Sequence, residues 1–314
     1  MRRLLTTLFL CFLTALTGCG NSKTQSSNSL KPSQTVTVDK KALETRKVRL
    51  NSGYDMPVIG LGTWTLSNQD AEEAVYTAIR CGYRLIDTAR YYDNETGVGK
   101  GIRKAIAEGL VKREDIFVTS KIMPASYANP EQAINESLAR LDIGYIDLML
   151  IHQPGSNDRA VYRAMEEAVR AKKLRSIGIS NYYSPASVDE VLSYAEITPA
   201  VIQNENHIYY QNRLLRDYVK AKGIIVEAWY PFGGRNHIQD VLNNPTIMAI
   251  AEKHQKTSAQ VILRWQVQSG YVAVPGSRNP HHIAENIAIG DFQLTDTEMK
   301  NIDAINQGKR YENW

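Results

Sequence analysis

The chain has 314 residues and a formal net charge of +4, which is enough for one large domain with a short N-terminal appendage but not for a second full domain. Arg2, Arg3 and the basic stretch 20–47 account for the excess positive charge, so residues 48–314 are slightly acidic. A slightly acidic domain argues against nucleic-acid binding, which depends on clustered cations. Of the cysteines, only Cys81 lies in this part, which excludes an internal disulfide framework.

The first 19 residues have the pattern of an export signal. Arg2 and Arg3 precede an apolar stretch from Leu4 to Leu16, and small residues then lead to Cys19. This pattern resembles the lipobox of bacterial lipoproteins, in which Cys19 would carry the lipid and begin the mature chain. An ordinary signal peptide and a retained anchor helix are the alternatives, although the apolar stretch is short for the roughly 20 residues of a bilayer span.

Residues 20–46 are rich in Ser, Thr, Asn, Gln and Lys and contain almost no large apolar side chain. Such a stretch cannot bury a core, so we predict a flexible tether. The predicted organisation is a signal peptide over residues 1–19, the tether over residues 20–46 and one folded domain over residues 47–314. The predicted location is the cell envelope, with a lipid anchor in a membrane, or the cytoplasm if the signal is inefficient.

The folded domain begins with a predicted β-hairpin over Val48–Ile59, whose turn is Asn51–Gly53. After it, apolar strand-like runs alternate with segments that carry apolar residues at helical spacing. The runs cover residues 84–86, 116–120, 145–151, 175–179, 199–202, 224–226 and 271–274, and residues 60–64 supply the first strand. This alternation predicts a parallel sheet covered by helices.

About eight such units fit the chain, so the predicted fold is an α/β (β/α)8 TIM barrel whose floor is closed by the hairpin. A polar or aromatic residue follows each later strand-like run. The carboxyl ends of the strands of a barrel meet at one mouth, so these residues should surround one cavity. They are Asp87, Lys121, His152, Asn181, Gln203, Trp229 and Ser277.

Three of these residues suggest a proton donor together with Tyr92, which lies one turn or loop after Asp87: they are Asp87, Lys121 and His152. A free tyrosine has a pKa near 10, and a neighbouring Lys121 should lower it and stabilise the phenolate. Asp87 would keep Lys121 charged, and His152 would position a substrate oxygen. Taken singly, Asp87 with Lys121 is more readily interpreted as a buried ion pair, and His152 as a core histidine.

Five motifs in this order resemble the aldo-keto reductase family, in particular prokaryotic members like 2,5-diketo-gluconate reductase. The resemblance covers roughly residues 47–312. The motifs are Gly60–Trp64, Ile86–Ala89 with Tyr92 and Asn94-Glu95, Thr119–Lys121, Leu150–His152 and Gly178–Asn181. It implies that Tyr92 is the general acid of carbonyl reduction and that Asp87, Lys121 and His152 complete a catalytic tetrad.

The resemblance also implies a nicotinamide cofactor, with NADP(H) favoured and NAD(H) left open. Ser180, Asn181 and Gln203 would bind the carboxamide, and Trp229 would stack on the nicotinamide ring. The adenine end departs from the family pattern, since Gly276-Ser277 replaces a Lys-Ser pair and His282 replaces an arginine. The further expected cofactor contacts are Ser277, Arg278, His282, Glu285 and Asn286.

Trp64 and Met123 would line the pocket of a small carbonyl or alcohol substrate. We expect a monomer without a metal ion.

One alternative is a noncatalytic NAD(P)H sensor tethered to the membrane, for which a broken tetrad would be the signal. Another is a glycosidase with Glu205 and Glu227 as its carboxylates, which leaves Tyr92 without a role. A nicotinamide enzyme in the envelope also requires a supply of reduced cofactor, for which export in the folded state with bound cofactor is one hypothesis.

Overall fold

The computed structural model describes residues 47–312, so the predicted signal peptide, tether and Cys19 lie outside the described residues. Ten strands and eleven α-helices occur in the described part. The strands are β1 (Lys47–Arg49), β2 (Asp55–Pro57), β3 (Leu61–Gly62), β4 (Leu85–Asp87), β5 (Phe117–Ile122), β6 (Ile146–Ile151), β7 (Leu174–Ser180), β8 (Val201–Glu205), β9 (Ile225–Trp229) and β10 (Val272–Ala273).

The helices alternate with the strands of the main sheet, as the sequence predicted. They are α1 (Asn68–Cys81), α2 (Glu95–Ala107), α3 (Pro130–Leu141), α4 (Asp158–Arg170), α5 (Pro185–Tyr194), α6 (Arg213–Lys220), α7 (Gly234–Leu242), α8 (Pro245–His254), α9 (Ser258–Gln268), α10 (Pro280–Ile287) and α11 (Asp296–Asp303). Three helices, α7 to α9, separate β9 from β10, where the strand and helix pattern indicated a single unit.

Strands β3 to β10 form one parallel sheet in chain order, and bridges between Ile59 and Ala273 and between Gly62 and Gly276 join its two edges. The sheet therefore closes into the predicted (β/α)8 barrel. Glycine is required at this seam because a Cβ on Gly62 would lie 2.8 Å from the carbonyl oxygen of Val274. No described helix is long and apolar enough to cross a membrane.

The hairpin of β1 and β2 covers the amino-terminal end of the barrel, which confirms the predicted floor. Its buried Leu50 and Met56 pack with Leu85 and Phe117, which begin two of the strands. Asn51 also donates a 2.9 Å hydrogen bond from Nδ2 to the carbonyl oxygen of Pro199. Apolar side chains therefore close this end of the barrel beneath the hairpin.

Candidate active site

Strand ends and strand register bring the predicted polar residues to one end of the barrel. Asp87 ends β4 and Lys121 is the last residue but one of β5. The register pairs Ser180 of β7 with Gln203 of β8, and Gln203 with Glu227 of β9. These three side chains therefore form a row across neighbouring strands, and Gln203 lies inside its strand rather than after it.

A cavity of about 520 Å³ opens at this end of the barrel. Most of the residues proposed from the sequence line it, and aromatic side chains form part of its wall. The predicted residues in the lining are Trp64, Asp87, Tyr92, His152, Ser180, Asn181, Gln203, Trp229, Ser277 and Arg278. Such a concave site with a few convergent polar groups is the usual form of a small-molecule site.

Lys121 is fully buried and organises the centre of the site. Its Nζ lies 2.8 Å from both carboxylate oxygens of Asp87 and 3.0 Å from the carbonyl oxygen of Thr88. It also donates to the hydroxyl oxygen of Tyr92 at 3.0 Å. Since the ammonium occupies a lone pair of that oxygen, the phenolic hydrogen is free to point to another acceptor.

The loop that carries Tyr92 is held by Asn94. Thr88 donates from Oγ1 to Asn94 Oδ1 at 2.8 Å, and Asn94 Nδ2 donates to the carbonyl oxygens of Thr63 and Leu66. Tyr92 ends a 3₁₀ turn that starts at Arg90. A fully buried asparagine therefore joins the loop after β4 to the loop after β3 and fixes the phenol beside Lys121.

The expected lowering of the Tyr92 pKa by Lys121 is wrong as a net effect. Burial raises the pKa of Tyr92 further than the Lys121 charge lowers it, to about 12. Burial opposes ionisation of Lys121 as well, but the Asp87 carboxylate raises the pKa of that ammonium above its ordinary value. The pair is therefore a protonated phenol next to a charged ammonium at neutral pH.

His152 directly follows β6, and its ring lies edge-on to Tyr92 with 5.8 Å between ring centroids. Burial, and then the nearby charge of Lys121, lowers the pKa of His152 to about 3. The imidazole is consequently neutral, with one N–H donor and one acceptor nitrogen. Trp64 is tilted against Tyr92 at 4.8 Å and stacked on Tyr91 at 5.4 Å, which completes an aromatic wall.

Glu227 is a member of the site that only the glycosidase alternative had singled out. Gln203 Nε2 donates both to Glu227 Oε2 at 2.8 Å and to Asp87 Oδ2 at 2.7 Å. Burial, and then repulsion from Asp87, raises the pKa of Glu227 to about 8. A neutral carboxyl group is therefore joined to Asp87 through the Gln203 amide. Because Glu227 lies inside β9, no strand-end pattern in the sequence marked it.

The cofactor-side residues have unused hydrogen-bonding capacity. Among the described residues, Ser180 Oγ and Trp229 Nε1 are buried without a hydrogen-bond partner, and both residues line the cavity. Buried polar groups are rarely left unpaired without a reason. These two groups next to the amides of Asn181 and Gln203 suit the carboxamide of a nicotinamide ring.

Backbone strain is concentrated at the mouth. Thr65, Asn181 and Tyr230 line the cavity and have φ values of 69°, 67° and 54°. This left-handed region is unusual for a β-branched or aromatic residue and is found most often at functional sites. Thr65 is held by Arg235, whose Nη2 donates to Thr65 Oγ1 at 2.7 Å. The sequence analysis did not single out Arg235, which lies in the first turn of α7, beyond the loop after β9.

Besides Lys121, which lies behind Tyr92 and contacts its hydroxyl, four predicted residues are not in the lining of the cavity. Met123 is half-buried at the start of a 3₁₀ turn after β5 and lies outside the described lining, because the chain turns away there. Residues His282, Glu285 and Asn286 lie on α10. Glu285 instead accepts a 2.7 Å hydrogen bond from Thr257 Oγ1 on the helical side of the barrel. The role of His282, Glu285 and Asn286 as contacts at the adenine end of the cofactor remains a prediction.

The comparisons with known proteins agree with this geometry. Residues 58–307 match the Aldo/keto reductase family. The glyoxal reductase of Bacillus subtilis is 43% identical over 84% of this chain and 94% of that protein. The NAD(P)H-dependent D-xylose reductase I,II of Candida tropicalis is 39% identical over 84% of this chain and 93% of that protein. The chain therefore belongs to the aldo/keto reductase family.

A solved structure extends the likeness to the backbone. The crystal structure of Bombyx mori aldo-keto reductase in complex with NADP is 34% identical and superimposes with a TM-score of 0.80. The match covers 85% of this chain and 94% of that one. Among residues 47–312, no group of three or more His, Cys, Asp or Glu side chains could hold a metal ion.

Proposed function

We propose that this chain reduces small aldehydes, ketones or sugar-derived carbonyls to alcohols with NADPH, and that Tyr92 is the general acid. The class of chemistry, NAD(P)H-dependent carbonyl reduction, follows from its membership of the aldo/keto reductase family. The observation that carries the proposal is the contact from Lys121 Nζ to Tyr92, in a site where the same ammonium holds both oxygens of Asp87.

The residues of this chain account for the proton. Tyr92 lines the cavity with its hydroxyl oxygen already accepting from Lys121, so its own hydrogen can reach a carbonyl oxygen in the cavity. As the proton leaves, the charge that develops on the phenol oxygen lies 3.0 Å from the ammonium, which stabilises it. Asp87 holds Lys121 in place, and neutral His152 donates a hydrogen bond that orients the same substrate oxygen.

The cofactor, when bound, supplies the hydride that goes to the carbonyl carbon. Ser180, Asn181 and Gln203 would hold its carboxamide, and Trp229 would support the ring. Arg278 supports a preference for NADPH, because its largely exposed guanidinium lies at the cavity wall. Its ion pair with Asp70 is long, at 4.0 Å, so the guanidinium can still bind a phosphate. Hydride and the proton of Tyr92 together convert a carbonyl to an alcohol, and the reverse path oxidises the alcohol.

The test is NADPH and NADH binding by fluorescence quenching, followed by aldehyde-dependent oxidation, in wild type and Tyr92→Phe. We expect Tyr92→Phe to lose about 10²- to 10⁴-fold in turnover while it still binds NADPH. The matched control is Tyr145→Phe, on a ring that lies between two guanidinium groups at the other end of the barrel. Normal turnover in Tyr92→Phe would contradict the proposal.

The same assay separates the alternatives. Tight NADPH binding by the wild type without turnover of a broad carbonyl panel would favour the tethered sensor. A lack of binding to either nicotinamide cofactor would overturn both functions. Turnover that depends on Tyr92 would exclude the sensor and the glycosidase together.

We further propose that the chain is a bacterial lipoprotein of prokaryotic aldo-keto reductase type, anchored through Cys19 in the cell envelope and monomeric. The support is the pattern of residues 1–19 and the 43% identity to a bacterial glyoxal reductase. Membrane fractionation of wild type and Cys19→Ala tests the anchor. Protein that is soluble in both would contradict it, and light scattering of the soluble domain tests the monomer.

A further inference from the structure

Two hydrogen bonds within the protein define the orientation of the Asn181 amide. Asn181 Nδ2 donates to the carbonyl oxygen of His152 at 2.9 Å, and Asn181 Oδ1 accepts from the hydroxyl of Tyr183 at 2.9 Å. Rotation of the amide by half a turn would place two oxygen atoms, Asn181 Oδ1 and His152 O, against each other. The carbonyl oxygen of His152 therefore selects the orientation of the amide, and the Tyr183 hydroxyl holds the amide at its other end.

Tyr183 is itself fixed by two groups that lie outside the cavity lining. The backbone N–H of Glu205 donates to its hydroxyl oxygen at 3.1 Å. The guanidinium of Arg310 lies 3.6 Å from the centroid of its ring, which is within the range of a cation–π contact. The position of Tyr183 thus depends on the C-terminal segment of the chain.

Residues 310–312, which we name the C-terminal strap, are held on the barrel by a buried carboxylate. Glu205 Oε1 accepts from the backbone N–H of Tyr311 at 2.6 Å, and Glu205 Oε2 accepts from that of Glu312 at 3.2 Å. Glu205 also pairs with His207 Nε2 at 2.9 Å. Burial lowers the pKa of His207, which favours a neutral ring that donates this hydrogen bond from Nε2 to the carboxylate.

Ring stacking fixes the strap a second time. The Tyr311 ring lies between two imidazoles, with centroid distances of 4.4 Å to His207 and 3.8 Å to His237. His207 follows β8, and His237 belongs to α7. Two anchors therefore hold the segment from which Arg310 reaches Tyr183.

We propose that the C-terminal strap, through Arg310 and Tyr183, fixes the Asn181 amide and so sets the affinity of the site for the nicotinamide end of the cofactor. This inference rests on the proposed function, because it takes Asn181 as a ligand of the nicotinamide carboxamide. Tyr183 and Arg310 are positioning residues, since neither lines the cavity.

The experiment compares two ligands on one set of variants. NADPH contains the nicotinamide, whereas adenosine 2′,5′-bisphosphate carries only the adenine end. In Tyr183→Phe we expect the Kd of NADPH to rise about fivefold, the ratio for a lost hydrogen bond of about 1 kcal/mol. The Kd of adenosine 2′,5′-bisphosphate should stay unchanged, whereas a general loss of structure would weaken both ligands equally.

Arg310→Gln should raise the Kd of NADPH about threefold, in keeping with a cation–π contact, again without an effect on the adenine fragment. Because Arg310 acts through Tyr183, the double variant should bind NADPH as Tyr183→Phe alone does. Matched controls are Tyr218→Phe, which removes a hydroxyl bonded to Asp189 on the outside of the barrel, and Arg213→Gln, which removes a surface pair with Asp303.

The outcomes separate this proposal from the proposed function. Failure of the wild-type protein to bind NADPH would overturn the proposed function and the strap with it. Binding of NADPH with equal affinity by wild type, Tyr183→Phe and Arg310→Gln would overturn the strap alone. Equal weakening of NADPH and the adenine fragment would also overturn it, because the effect would then not pass through Asn181.

Discussion

Each end of the barrel contains a buried carboxylate that is paired with at least one cation and lies near a tyrosine, and the cluster at the mouth lines the cavity described above. At the mouth, Asp87 is paired with Lys121, which also touches Tyr92. Near the amino-terminal ends of β5 to β7, Asp147 is paired with Arg113 at 2.7 Å and Arg175 at 3.0 Å. Composition alone does not distinguish these clusters.

The difference lies in where the remaining hydrogen-bonding capacity points. Asp147 uses both oxygens on the two arginines and on the backbone N–H of Val118, and both guanidinium groups lie flat on the Tyr145 ring. That cluster holds three strands together. At the mouth, Lys121 lies over the Tyr92 ring as well, but it also donates to the Tyr92 hydroxyl, and Tyr92 lines a cavity. A buried ion pair supports chemistry only where a polar group of the cluster faces a ligand.

Removal of one cation from each cluster should give the largest contrast. Lys121→Met leaves Asp87 as a buried charge without its partner, so we expect a loss of about 3 kcal/mol in the free energy of unfolding and about 10³-fold in turnover. Arg175→Met leaves Arg113 on Asp147, so we expect a loss of about 1 kcal/mol and unchanged turnover. Urea unfolding and NADPH oxidation measure both, and inactive Arg175→Met would remove the distinction between the clusters.

Neutral His152 should make stability depend on pH. The pKa of its ring is about 3 in the folded protein and near 6.5 in the unfolded chain, so below pH 6.5 the unfolded state binds the proton preferentially. Its contribution to stability is complete above pH 6.5 and declines towards pH 3, by up to about 1.4 kcal/mol per pH unit. Urea unfolding between pH 7 and 5 should show a shallower loss in His152→Gln. Equal slopes would mean that His152 is charged in the folded state.

Glu227 should add a smaller effect on the rate. The pKa of this carboxyl is raised to about 8, so above that pH it brings a second negative charge next to Asp87. That charge further raises the pKa of Tyr92, and a weaker acid donates more slowly. We expect the kcat/KM of reduction to fall roughly threefold between pH 7 and 9, and Glu227→Gln to remove this fall. A pH profile unchanged by Glu227→Gln would contradict the assignment.

The smallest expected effect is that of Met123, which lies outside the cavity lining. Met123→Ala should change the KM for an aldehyde less than about twofold, whereas Tyr91→Ala should raise it severalfold because it removes a stacking partner of Trp64 worth about 0.5 to 1.5 kcal/mol. Initial rates at varied aldehyde concentration decide between them. A larger effect from Met123 would restore the sequence-based expectation for this residue.

The fold and the centre of the site could be predicted from the sequence because each depends on short-range patterns. Apolar runs mark the strands, and a polar residue at the end of such a run has only one end of a barrel to reach. Asp87, Lys121 and His152 could be predicted in this way. The tyrosine needed the resemblance as well, because Tyr92 lies beyond its strand in a turn.

The remaining parts depend on contacts that are distant in sequence. Arg235 reaches Thr65 and Arg310 reaches Tyr183 across the surface of the barrel, and no local pattern encodes these pairs. The net pKa of Tyr92 was also beyond the sequence, since burial and the charge of Lys121 act in opposite directions and only the structure gives their balance. The sequence pattern likewise gave no sign of the separate helices α7 and α8.

The seam between β3 and β10 is the place where local opening of the barrel should be easiest to detect. Across it, the chain makes the backbone hydrogen bonds Gly60 to Ala273, Gly62 to Pro275 and Ala273 to Val58, and both seam strands are only two residues long. Gly62 and Gly276 lie on opposite sides of the seam and both line the cavity. A ligand that fills the cavity would therefore contact both sides of the seam. Amide hydrogen exchange at Gly60, Gly62 and Ala273 should slow when a ligand binds in the cavity. The exchange rates of these three amides should therefore report the fraction of the protein with bound ligand.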